Sequence, residues 1–77
     1  MKITFKETGG LIIDGEGSTV IYGTGLPIIE GYKGNKSDIE IYNFIVLFNT
    51  KFKLPKDKIS RFSKLLYKLL INFKLIR

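Results

Sequence analysis

The sequence predicts an α+β fold, a small antiparallel sheet of three to five short strands followed by one amphipathic C-terminal helix. Three observations predict it. All eight glycines lie at or before Gly34, and glycine serves tight turns while weakening helix interiors. The first half therefore reads as strands broken by turns, and the rest as longer elements. Ile59, Phe62, Leu66, Leu69, Leu70 and Phe73 recur at helical spacing, with Arg61, Lys64, Lys68 and Asn72 opposite them. Finally, 77 residues fit one domain, spanning 1–77, with one layer-on-layer core.

Strand one is read over Lys2 to Glu7, with Ile3 and Phe5 on one face and Lys2, Thr4 and Lys6 on the other. Thr8-Gly9-Gly10 signals a hairpin turn, and Leu11 to Asp14 is strand two. Asp14-Gly15-Glu16-Gly17 turns again into Ser18 to Tyr22, a strand rich in β-branched residues. Leu26 to Glu30 is a short edge segment, because Pro27 cannot donate to a ladder. Tyr32 to Lys36 reads as polar loop.

Residues 38–54 carry two patterns. Ser37 and Glu40 have capping-box spacing, and Ile41, Ile45, Phe48 and Phe52 share one helical face. Against this, Tyr42, Phe44, Val46, Phe48, Phe52 and Leu54 alternate at period two in a segment crowded with β-branched and aromatic residues. The balance favours strand, and a helix over about 38–49 is the alternative. The last segment is clearer. Pro55 and Asp57 mark a helix start, and Lys56 to about Phe73 is an amphipathic helix whose stripe packs on the sheet.

Composition removes whole classes of chemistry. There is no cysteine and no histidine. Disulfides, Cys/His zinc sites, the commonest general base and the strongest nucleophile are therefore excluded. Ser60 and Ser63 lie near Lys64, a proximity that a polar helix face produces by itself. Asp14 and Glu16 flank Gly15 as turn residues rather than a cation site. Gly15-Glu16-Gly17 and Gly23-Thr24-Gly25 lack the third glycine and the GK[ST] of a phosphate loop. No enzyme and no cofactor are expected. Met1 to Glu7 has no apolar signal core, and the apolar run Phe44–Phe48 is far short of the roughly 20 residues that span a bilayer. A soluble cytoplasmic protein is expected, consistent with the missing cysteines. Abundant Ile and Lys, with Ala, Gln and Trp absent, is the bias of AT-rich coding.

The charge is divided unevenly. Residues 1–50 carry four lysines against six acids, a balance of −2. Residues 51–77 carry nine cations against Asp57 alone, a balance of +8, which gives +6 overall. Lys51, Lys53, Lys56, Lys58, Arg61, Lys64 and Lys68 are the candidate contact residues. Such a cluster attracts polyanions by counterion release, with nucleic acid the most frequent partner. Only two arginines are present, which weakens any case for bidentate recognition of bases or phosphates. Tyr22, Tyr32, Tyr42 and Tyr67 would offer stacking surfaces if exposed. The layout of short strands before a basic helix is similar to that of small archaeal chromatin proteins with an SH3-like barrel; no motif accompanies it, so it implies shape alone.

The leading expectation is therefore a small non-catalytic binding module whose basic C-terminal helix contacts nucleic acid phosphates. The alternative is a protein-binding or inhibitory accessory protein, of the kind mobile elements encode, with an acidic partner surface or a second copy of itself. The arrangement of the cations discriminates. One continuous patch from Lys51 to Lys68 favours nucleic acid; Lys51 and Lys53 directed elsewhere beside an exposed apolar patch favours a protein partner.

Overall fold

The computed structural model describes residues 1–23, 25–52 and 56–76, and of Lys56 only the backbone. Four strands, β1 (Lys2–Phe5), β2 (Leu11–Asp14), β3 (Thr19–Tyr22) and β4 (Ile28–Glu30), form an antiparallel meander in the order β1-β2-β3-β4. Helix α1 (Lys36–Lys51), a single 3₁₀ turn (Lys56–Lys58) and helix α2 (Ile59–Asn72) follow. The α+β class holds, with two helices on one face of an open sheet. That arrangement differs from the SH3-like barrel that the layout resembles.

Period-two alternation sorts the sheet residues. Leu11 and Ile13 of β2 and Val20 and Tyr22 of β3 point inward and are fully buried. Their neighbours Ile12 and Ile21 point out and stay partly exposed. Ile59, Leu66 and Leu70 of α2, two turns and then one turn apart, meet the inner face, and Ile41, Ile45 and Phe48 of α1 cover it beside them. Burying each such side chain contributes roughly 1.5–3 kcal/mol. After α2, Lys74 takes a left-handed conformation at φ 58°. The Lys74 amide donates to the Ile71 carbonyl and the Leu75 amide to the Leu70 carbonyl, a Schellman stop that returns Ile76 to the core at 4% exposure.

The strand reading of 38–54 is corrected: residues 36–51 are helical. The apparent alternation arises because α1 has two neighbours. Ile41, Ile45 and Phe48 face the sheet, while Phe44 and Phe52 turn toward α2, with ring centroids of Phe44–Phe73 5.6 Å and Phe52–Phe62 6.0 Å apart. Two covered sides widen the apolar arc until it mimics period two. The capping residue also differs. Asn35 caps the helix by accepting from the Ser37 amide at 3.2 Å and the Ser37 hydroxyl at 2.9 Å. Among the described residues, no helix is long and apolar enough to cross a membrane.

Asp38 occupies the first turn of α1 and is wholly buried. Its carboxyl group accepts from the Glu16 backbone amide at 3.1 Å and the Ser18 hydroxyl at 2.8 Å. Both donors belong to the β2–β3 turn, so one side chain latches helix to hairpin. Gly15 makes room for it, since a β-carbon there would overlap the Asp38 carboxyl. Removing a buried acceptor strands its donors at full desolvation cost. Asp38→Ala is expected to lose about 2–4 kcal/mol of stability in urea denaturation. Asp38→Asn, which keeps one acceptor, is expected to lose less.

Tyr22 is the opposite case. It is fully buried, edge-on to Phe48 at 5.9 Å, yet its hydroxyl finds no hydrogen-bond partner among the described residues. Burial pushes the phenol above its ordinary value. Below about pH 10 the phenol is protonated folded and unfolded. Above it the unfolded chain loses that proton first, so this contribution to stability falls as pH rises through the raised value. Tyr22→Phe removes both the unpaired hydroxyl and the titration. The variant is expected to gain about 1 kcal/mol at pH 7, with its margin over the parent widening above pH 10, as urea melts at pH 7 and 10.5 would read.

Candidate polyanion-binding face

Helix α2 is held by its buried side before it presents anything outward. Ser63, fully buried, donates its hydroxyl to the Gly9 carbonyl at 2.6 Å, which ties the helix to the β1–β2 turn. Gly9 sits at φ +99°, and a β-carbon there would lie 2.5 Å from Ile59 Cγ2, so turn and helix meet at van der Waals distance only because this residue is glycine. Tyr67 stacks edge-on against Phe5 of β1, centroids 5.6 Å apart. These contacts fix the rotation of α2 about its axis.

With that rotation set, the outer side of α2 is cationic. Lys58, Arg61, Lys64 and Lys68 are exposed and line one shallow groove with Ser60 and Leu65; Asp57 is the acid among the lining residues. At 1.5 Å rise per residue, Arg61, Lys64 and Lys68 are spaced about 4.5 and 6 Å along the axis. The macrodipole makes the placement unfavourable. Lys58 stands at the N-cap and makes no side-chain cap, the first turn holds no acid, and the last turn holds no basic residue. A cation at the positive end of a helix costs roughly 0.3–1 kcal/mol. Helix stability would distribute these charges the other way round, whereas an anion bound at this end offsets the cost.

The seven expected contact residues are therefore not one surface. The structure joins Lys58, Arg61, Lys64 and Lys68. Lys51 lies elsewhere, on the rim of an apolar groove between α1 and α2 formed by Phe44, Leu47, Phe48, Phe52, Leu69 and Phe73. Leu47 is 69% exposed there and Phe73 64%. Lys53 and the side chain of Lys56 fall outside the described residues. Ser60 and Leu65 belong to the cationic groove and carried no signal in the sequence beyond their place on the helix.

Most of the remaining candidates are accounted for by the fold. Asp14 accepts from the Thr19 hydroxyl at 3.1 Å, and among the described residues no three potential metal ligands gather. Tyr22 is buried, Tyr42 half-buried and Tyr67 engaged with Phe5, which leaves Tyr32, 43% exposed, as a solvent-facing ring. No protein-family model matches the chain, and no curated protein or solved structure shows significant similarity to it.

Proposed function

We propose that this chain is a non-catalytic binding module whose α2 face docks on the phosphate backbone of nucleic acid. The observation that supports this reading is the set of four cations on one groove, two of them, Lys58 and Arg61, at the positive end of the helix that bears them. Asp57 is the one acid among the described residues of the groove, and phosphate would add to it at the end of the helix where negative charge is favourable. A single arginine among the four suits positioning on a backbone better than reading base edges. With neither His nor Cys in the sequence, and with the Ser63 hydroxyl committed to Gly9, binding is the better reading than catalysis. The cysteine-free composition suits a reducing, cytoplasmic setting.

Lys51 on the rim of an exposed apolar groove, rather than in the groove of the helix cations, is the placement expected of a protein-binding module, and it favours a second reading, an acidic protein partner that lays an apolar segment between α1 and α2. The two readings separate on one titration. Neutralising four phosphates predicts a slope of log K against log salt of about −3.6 for duplex DNA, a loss of about 150-fold between 50 and 200 mM salt. Lys64→Glu with Lys68→Glu is expected to lower affinity more than tenfold and roughly halve the slope. Lys51→Glu is expected to leave the slope unchanged. Absence of binding to DNA and RNA at 50 mM salt removes the nucleic-acid reading and leaves the groove as the contact face.

A further inference from the structure

The side of the sheet turned away from both helices carries outward residues from all four strands. The register orders them into two rows. One runs Lys2, Asp14, Thr19, Glu30, each the cross-strand partner of the next. The other runs Thr4, Ile12, Ile21, Ile28 in the same way. Ile28 is 54% exposed, Ile12 and Ile21 are partly exposed, and Leu26 just before β4 is 81% exposed. One isoleucine in solvent is ordinary. Three in adjacent register on a face that neither helix covers form a contiguous apolar strip.

The two rows match themselves under a two-fold axis parallel to the strands. That axis sets β1 of one copy over β4 of the other, and β2 over β3. Ile12 then meets Ile21 of the second copy, and Thr4 meets Ile28 of the second copy. Asp14 meets Thr19 of the second copy, and Lys2 meets Glu30 of the second copy, twice over by symmetry. An axis across the strands would set β1 on β1 and bring Lys2 toward Lys6 of the second copy. Only the first axis pairs opposite charges. Net charge favours the same face. Each copy is +6, with +8 concentrated in residues 51–77, so two copies approach most easily through the sheet.

We propose that this open sheet face is a homodimer contact, two sheets packed face to face about a two-fold axis parallel to their strands. Isologous contacts of this kind need a self-complementary patch, and here the register supplies both the apolar and the charged half of it. Four strands about 4.8 Å apart, three of them four residues long and β4 three, cover at most about 19 by 13 Å. That footprint is smaller than the roughly 800 Å² per partner of a standard interface, so association is weak and concentration-dependent.

Sedimentation equilibrium of the full chain from 10 µM to 1 mM tests this. The parent is expected to shift from monomer toward dimer across the range. Lys2→Glu and Glu30→Lys are each expected to weaken the dimer about tenfold, although they change net charge in opposite directions. Combining them is expected to restore it to within a few-fold. Both residues are exposed, and circular dichroism confirms that the variants fold. A monomer at 1 mM overturns the proposal. So does a dimer indifferent to both charge reversals, or one broken by Leu47→Glu, which would seat the second copy on the helices.

Discussion

A carboxyl group with no access to solvent must be given donors, and the fold is arranged around meeting that requirement. Asp38 lies in the first turn of α1, and its donors, the Glu16 amide and the Ser18 hydroxyl, lie 22 and 20 residues earlier in the β2–β3 turn. Stranding it would cost more than most single contacts contribute. The latch therefore selects one rotation and one height of α1 over the sheet. Ile41 and Ile45 follow at positions i+3 and i+7 and are driven onto the inner face. Ser63 and Gly9 repeat the device at the other hairpin with a neutral pair. Each of the first two turns is held by one buried polar side chain from one helix, and each is shaped by a glycine that tolerates the close approach.

The outer surface follows from these anchors. Rotation of α2 is fixed by Ser63, Ile59 and Leu66, so Arg61, Lys64 and Lys68 have no direction left but outward. Rotation of α1 is fixed by Asp38 and Ile45, and this carries Lys51 to the interhelical groove rather than to the groove lined by Lys58, Arg61, Lys64 and Lys68. A basic cluster seen along the chain becomes two surfaces of different character. One is cationic on a polar helix face. The other is aromatic and aliphatic with one cation at its edge.

How much of this was legible depends on the distance over which the signal acts. The strand Leu11–Asp14, its turns and the stripe of α2 rest on local chemistry, glycine position and side-chain period, and the sequence showed them. The four strands appear within the expected three to five. Helix α1 carries a strand-like pattern because its period is defined by two neighbours, and the second, α2, is distant in sequence. The Asp38 latch was invisible for the same reason. Ser37 and Glu40 presented a local capping pattern, while the cap itself moved to Asn35, leaving the acid between them free to turn inward. The excess of cations was countable from the chain alone. Their grouping was not, because it depends on which way α1 faces.

The sheet and the helices also divide the molecule by charge, and that division bears on how binding and self-association combine. Both helices cover the inner face, so anything seated on the outer face leaves α2 unobstructed. A dimer joined through the sheets stacks helix, sheet, sheet and helix in four layers, each about 10 Å from the next. Its two cationic faces then point in opposite directions, about 30 Å apart at the helix axes. Two faces so disposed cannot lie on the same side of one straight duplex. They would meet separate segments, and the second contact gains from the first only where the polyanion bends back or a second strand lies alongside. Weak association through an apolar strip and weak contact through four cations then become one property, with bridging of two polyanion segments rising steeply with protein concentration and falling steeply with salt.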